Sequence, residues 1–163
     1  MTRIIPEHDP RGFRTVLGRF ATGVTVVTAA APDGPMAITA NSFSSVSLDP
    51  PLVLWAPARA SRRFELFRDA PRFVIHVLAS DQLGLGRHFA RTGHDFSAAD
   101  WQAGPDGLPL LDHFAARFTC TRHAVHDGGD HVIVLGRVET AEAGNHPPLV
   151  FADGAYGHFA PDR

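Results

Sequence analysis

Lysine is absent from this chain: all 15 of its basic residues are arginine. Schiff-base chemistry, a covalently held pyridoxal phosphate and a P-loop lysine are thereby excluded. Any phosphate must be held by arginine, hydroxyls or backbone N–H groups. Cysteine occurs once, at Cys120, which rules out an intramolecular disulfide and a multi-cysteine metal cluster. The net charge of -2 gives no electrostatic footprint for nucleic acid or an anionic membrane, so neither is expected as a partner. No apolar run approaches membrane-spanning length, and Met1–Pro10 has no apolar h-region, so a cytoplasmic location is the default expectation. No G-x-G-x-x-G follows the first expected strand, which argues against a Rossmann site. Neither a nucleophile elbow nor a Ser-His-Asp triad stands out.

What is present is ordinary for a soluble globular protein: 44% hydrophobic and 20% charged residues in 163. That length predicts a single domain over 1–163. Asp9-Pro10 is a helix start, with a capping side chain and then proline at the first helical position. Phe13, Val16, Leu17 and Phe20 recur at helical spacing until Gly23 ends the run. Val24–Ala31 is β-branched and reads as a strand. Pro32-Asp33-Gly34-Pro35 then turns the chain into a second strand over Met36–Asn41. Further strands are predicted over 52–55, 73–78, 115–125, 131–141 and 149–159. Short helices are predicted from Ser61 to Arg68 and from a Ser80 cap to about Arg91. Residues 92–108 are polar and Gly-rich, and predict an irregular excursion. Strands outnumber helices and hairpins dominate the connections, so an antiparallel barrel with covering helices fits better than a βαβ fold.

Residues 39–51, Thr-Ala-Asn-Ser-Phe-Ser-Ser-Val-Ser-Leu-Asp-Pro-Pro, pack short hydroxyl and amide side chains into a strand end that stops at a double proline. Such a wall offers hydrogen bonds in both directions to a flat polar ligand without bulk in the way. The same composition also makes a Ser/Thr-rich turn with only local hydrogen bonds. Arg59-Ala60-Ser61-Arg62-Arg63 sets arginines beside an expected helix start, where free N–H groups attract anions. An exposed arginine cluster is the plainer alternative, and at least one of Arg62 and Arg63 should point away from any pocket. His126-Asp127-Gly128-Gly129-Asp130-His131 allows close backbone approach at its glycines; a hairpin turn held by its aspartates accounts for the same residues. Cys120, His123, His126 and His131 admit a zinc reading, but their spacing puts them on different faces and no metal is expected. His76, inside Phe-Val-Ile-His-Val-Leu, reads as a satisfied core or interface histidine, and Trp55 as core, with a flavin-facing role as its alternative.

The 39–51 segment and the Gly-Asp-His at 129–131 closely resemble, in order and spacing, the corresponding stretches of the flavin reductase-like family. The resemblance runs from about Phe13 to Tyr156. It implies a mainly β fold, the antiparallel FMN-binding split β-barrel with a few covering helices. It further implies an NAD(P)H:flavin oxidoreductase that passes hydride from NADH or NADPH to FMN or FAD and supplies a partner monooxygenase, in a homodimer. Carried over residue by residue, Thr39, Ala40, Asn41, Ser42, Ser45, Val46 and Ser47 would contact the flavin ring. Ser61, Arg62 and Arg63 would take its phosphate; the family often has several hydroxyls there, whereas this chain has Ser61 alone. Phe89 would close a helix near the flavin, Gly129 and Asp130 would lie beside it, and His131 would position the nicotinamide. Tyr156 would sit near the flavin, although Gly157 follows where the family often carries a basic residue. No protein acid or nucleophile is implied, since hydride transfer needs alignment above all. The alternative on the same barrel is a non-catalytic flavin-binding or redox-sensing module; a haem-handling or oxidase relative is a third.

Overall fold

A computed structural model describes residues 3–162. The chain runs α1 (Pro10–Leu17), β1 (Thr22–Gly23), β2 (Thr25–Ala31), β3 (Gly34–Ala40), β4 (Ser44–Leu48), β5 (Pro51–Trp55), α2 (Phe64–Asp69), β6 (Arg72–Val77), α3 (Leu83–Arg91), β7 (Trp101–Ala103), β8 (Pro109–Leu111), β9 (Ala116–Gly128), β10 (His131–Ala143), β11 (Leu149–Ala152) and β12 (Ala155–His158). The main sheet has seven strands in the order β3-β2-β6-β9-β10-β5-β4, and every neighbouring pair is antiparallel. Two small sheets, β1-β11-β12 and β7-β8, complete it. Among the described residues no helix is long and apolar enough to cross a membrane.

That strand order dictates the shape. β3 and β4 are the two edges of the sheet, yet only Asn41, Ser42 and Phe43 separate them in sequence. A flat seven-stranded sheet would hold its edges roughly 29 Å apart. Four virtual bonds, from Ala40 to Ser44, reach at most about 14 Å. The sheet must therefore curl until its edges nearly meet, without pairing: a split barrel. Residues 41–43 cross the split, which puts Asn41 and Ser42 at the gap in the barrel.

Two apolar clusters hold this arrangement. Inside, Val27, Ile38, Trp55, Phe67, Phe73 and Val134 pack together, with the Trp55 and Phe67 rings edge to face at 5.4 Å. Outside β2 and β3, Val26, Ala37, Leu78, Phe89, Phe96 and Leu149 form the second. Strand β2 alternates between them, Val27 to one and Val26 to the other, which is why its sequence is apolar without a period-two pattern. Helix α2 buries Phe64 and Phe67, and α3 buries Phe89.

Several local expectations need correction. Helix α1 starts as predicted, with Asp9 accepting from the Gly12 N–H at 2.8 Å, but it ends at Gly18 rather than Gly23. Its end is tied to the β11–β12 turn by the Asp153 N–H donating to the Gly18 carbonyl and by an Arg19–Asp153 ion pair at 2.8 Å. It buries none of its residues; Val16, Leu17 and Phe20 are exposed. The second helix begins at Phe64, not Ser61. Ser80 does not cap α3. Gln82 occupies that position, accepting from the Ala79 N–H and donating to the His113 carbonyl. The 92–108 excursion is anchored: Phe96 is buried between Phe89 and Trp101, with ring centroids 4.9 and 5.1 Å away.

His76 is a satisfied core histidine. Its Nδ1 lies 3.2 Å from the Val26 carbonyl, and its Nε2 accepts from the Leu111 N–H at 3.1 Å. Those partners fit only a neutral ring protonated at Nδ1. Burial, with Arg117 adding to it, pushes its pKa down to about 3. Unfolding frees the ring to take a proton below its ordinary value of 6.5, so its contribution is complete above 6.5 and shrinks as pH falls toward 3. We expect urea-denaturation stability to fall by about 2 kcal/mol between pH 6.5 and about pH 5, at close to 1.4 kcal/mol per unit. His76→Phe should be less stable overall but flatter across that window; an unchanged slope would assign the pH dependence elsewhere.

Candidate active site

The wall at residues 39–42 begins at the end of β3 and crosses the split. Three compartments border it, and a fourth shares Ala90 with one of them, so that the four form one trough. The first, about 560 Å³, lies between Ala60–Arg63 and the Ala90–His94 turn after α3. The second, about 230 Å³, lies over Thr39, Ala40 and Asn41 and is bounded by Ala90, Phe151 and Tyr156. A third, about 190 Å³, runs from Ile38 through Ser42 to Trp55, Ala58 and His131. The fourth, about 670 Å³, opens between α1, His131 and Phe151. Asn41 borders three of them, and His131 two.

The hydroxyls of the wall are not equivalent. Thr39 donates to the Gly86 carbonyl at 2.7 Å, joining β3 to α3. Ser42 Oγ accepts from the Ala56 N–H at 2.9 Å and bridges the split to the end of β5. These two groups hold the barrel gap in shape. The exposed Asn41 remains, together with the backbone of Ala40 and Asn41, to face a ligand. Ser45, Val46 and Ser47 lie along β4, and none of them borders a compartment.

The arginines divide in the same way. Arg63 threads its guanidinium between β3 and the end of α3, donating to the carbonyls of Ala37 (2.8 Å), Phe89 (2.7 Å) and Ala90 (3.1 Å). Burial, then the neighbouring Arg62 charge, lowers its pKa from the ordinary arginine value. Arg62 is exposed and borders the 560 Å³ compartment with Arg91. Ser61 accepts from the Arg63 N–H at 3.2 Å and sits in a turn before α2. Gly93 closes the compartment: its carbonyl accepts from the Ala37 N–H at 2.9 Å, and a Cβ there would meet the Ala37 oxygen at 2.7 Å.

Opposite lies the β9–β10 turn. Gly129 has φ 77 and Asp130 does not have a positive φ. This is the pattern of a type II′ hairpin turn, which places glycine at its first central position. Asp130 Oδ1 is 2.7 Å from His131 Nδ1, fixing the ring, and this bond holds the Asp130 carboxyl below its usual range. Arg59 locks the turn through Gly129 (Nε to carbonyl, 2.9 Å), Asp127 (2.6 Å) and its own N–H to the Asp130 carbonyl (2.9 Å). The preceding Ala58 bridges to His131. The one segment 58–63 thus supports both ends of the trough.

Tyr156 borders the 230 Å³ compartment, its ring tilted against Phe151 at 5.0 Å and with the Arg87 guanidinium 5.7 Å from its centroid. Phe89 is fully buried in the outer core, and its neighbour Ala90 meets the trough instead. Sequence reasoning missed Arg91, Phe151, Arg11 and Arg14, which no local motif marks. Trp55, buried in the inner core, also borders the 190 Å³ compartment, and among the described residues its buried indole N–H has no partner. Cys120 is buried, its thiol pushed up to about 12 by burial. Among the described residues no group of three or more His, Cys, Asp or Glu could hold a metal ion.

The trough therefore has a small-residue middle, cationic ends and, among the described residues, a single bordering carboxylate, Asp153, which Arg19 already pairs. Arg11, Arg14, Arg62, Arg63 and Arg91 border it. This suits a planar heteroaromatic ligand carrying phosphate. The residues fit a flavin, whose ring would lie against 39–42 and whose phosphate would reach toward Arg62 and Arg91.

Comparison with known proteins agrees. Residues 17–160 match the model of the flavin reductase like domain. The chain is 51% identical over 153 residues to FMN reductase (NADH) SmoA of Agrobacterium fabrum, covering 94% of this chain and 88% of that one. It is 40% identical to HsaB of Rhodococcus jostii, a reductase subunit of a flavin-dependent monooxygenase, covering 95% and 80%. Against another relative the chain spans only 48% of the length. The solved structure of the Streptomyces globisporus NADH:FAD oxidoreductase SgcE6 superposes with a TM-score of 0.92 at 38% identity, covering 100% of this chain and 99% of that one. On the match to its domain model and on these identities, the chain belongs to the flavin reductase-like family.

Proposed function

We propose that this protein is an NAD(P)H-dependent flavin reductase that supplies reduced flavin to a partner flavin-dependent monooxygenase. The observation that carries the reading is the trough at the barrel split, with Arg62 and Arg91 lining one compartment and Asn41 with His131 lining two others. Reduced nicotinamide supplies a hydride and the flavin receives it; this chain aligns them. Asn41 and the Ala40–Asn41 backbone orient the ring edge, Ser42 and Thr39 keep the wall rigid, and Arg62 with Ser61 attracts the phosphate. His131, fixed by Asp130 and Arg59, orients the nicotinamide. Phe151 and Tyr156 shield the ring from water.

The open trough, bordered by exposed side chains, supports flavin as a substrate that leaves after reduction. The relation to HsaB supports a monooxygenase partner. A homodimer is part of this reading: β4 is an unpaired edge with Val46 and Leu48 exposed, the latter at 97%, a surface that a second copy would cover. So is a cytoplasmic location, where the reductant is available.

Anaerobic mixing of catalytic amounts of protein with NADH and excess FMN tests the chemistry. Many equivalents of flavin should bleach per protein. Bound flavin that stays oxidised would point to a binding module instead.

A further inference from the structure

The largest compartment is unused by a flavin seated as above. It is lined by Asn41 and His131 and shares no residue with the Arg62 end of the trough. Arg11 and Arg14 of α1 border it, and their spacing places them on one helix face. Both are exposed, and among the described residues neither pairs with a carboxylate. Arg14 is near enough to Asp130 to add to the larger effect of His131 in holding that carboxyl low. Beside the arginines, Leu17 and the 79%-exposed Phe20 present apolar surface, facing Phe151. An amphipathic helix ordinarily buries such residues; α1 turns them and its arginines to this cavity.

The trough thus has two cationic compartments that share no lining residue. One flavin monophosphate cannot fill both. The proposed reaction brings a second phosphorylated ligand, and the second compartment adjoins His131. We propose that Arg11 and Arg14 clasp the diphosphate of the nicotinamide dinucleotide, with Phe20 and Leu17 receiving its adenine, so that α1 is part of the reductant site. This rests on the reductase reading above. It makes α1, which contributes nothing to the core, the element that distinguishes a dinucleotide from a mononucleotide donor.

The test is the Arg11→Ala/Arg14→Ala double variant in steady state with FMN as acceptor. NADH is compared with reduced nicotinamide mononucleotide, which lacks the diphosphate and adenine. Loss of charge-assisted contacts should lower the preference for NADH over the mononucleotide by about ten-fold or more. The rise of KM for NADH with added salt should flatten. KM for FMN should stay within about two-fold, and Arg11→Lys/Arg14→Lys should recover part of the preference. An unchanged NADH preference, with the parent active, would overturn the clasp and leave the reductase reading standing. Equal losses with both donors would make α1 a structural element only. A rise in KM for FAD but not for NADH would assign the cavity to the adenylate of the flavin. A parent protein that oxidises neither donor would contradict the reductase reading itself, and the clasp with it.

Discussion

Asn41→Trp is expected to lower kcat/KM for flavin at least about 100-fold, a loss of roughly 2.7 kcal/mol of transition-state stabilisation. The position is exposed, makes no side-chain hydrogen bond among the described residues and borders three compartments at once. An indole there would fill the junction through which ring and nicotinamide must meet. Because no scaffold contact is lost, unfolding stability should change by less than about 0.5 kcal/mol. Flavin titration and a melting curve on the same sample check both halves. Ser42 is a poorer probe: its hydroxyl pins Ala56 across the split, so its replacement mixes binding with fold. Normal flavin kinetics in a folded Asn41→Trp variant would move the ring site away from residues 39–42.

Arg62 and Arg63 are adjacent in sequence and should behave oppositely. Arg63→Ala removes three charge-assisted bonds to the carbonyls of Ala37, Phe89 and Ala90. We expect a loss of about 2–3 kcal/mol and a melting temperature lower by roughly 5–10 °C. All flavins should suffer alike, since the joint between β3 and the end of α3 loosens. Arg62→Ala should leave stability within about 0.5 kcal/mol. It should weaken FMN and FAD about ten-fold relative to riboflavin, which has no phosphate. Calorimetric melting and binding of the three flavins separate the cases. If the two substitutions affect riboflavin and FMN equally, Arg62 does not meet the phosphate.

These contrasts mark where the sequence was legible. The run Val24–Ala31 declared a strand because β-branched residues favour extended backbone. Asp9-Pro10 declared a helix start because capping is local. The Gly129 turn was legible for the same reason. What could not be read was which polar groups are spent on the scaffold. Thr39 is committed to Gly86 and Ser42 to Ala56, partners 47 and 14 residues away, and no local pattern encodes such pairings. Helix periodicity showed that α1 has an apolar stripe but not that the stripe would stay outside the core. Phe96 shows the converse: in a polar, Gly-rich stretch, one aromatic residue found the Phe89–Trp101 pocket and pinned the loop. The closure of the barrel was implicit in the three-residue link between its edge strands, but the strand order had to be known first.

The most direct test of the central claim is the rate of NAD(P)H oxidation by the purified protein, alone and with added FMN, FAD or riboflavin. A reductase that treats flavin as a substrate should oxidise the nucleotide slowly alone and show strong, saturable stimulation by free flavin. Full activity independent of added flavin would contradict the reading of flavin as a substrate that departs. No oxidation with any flavin, in a folded protein that still binds it, would contradict the reductase assignment.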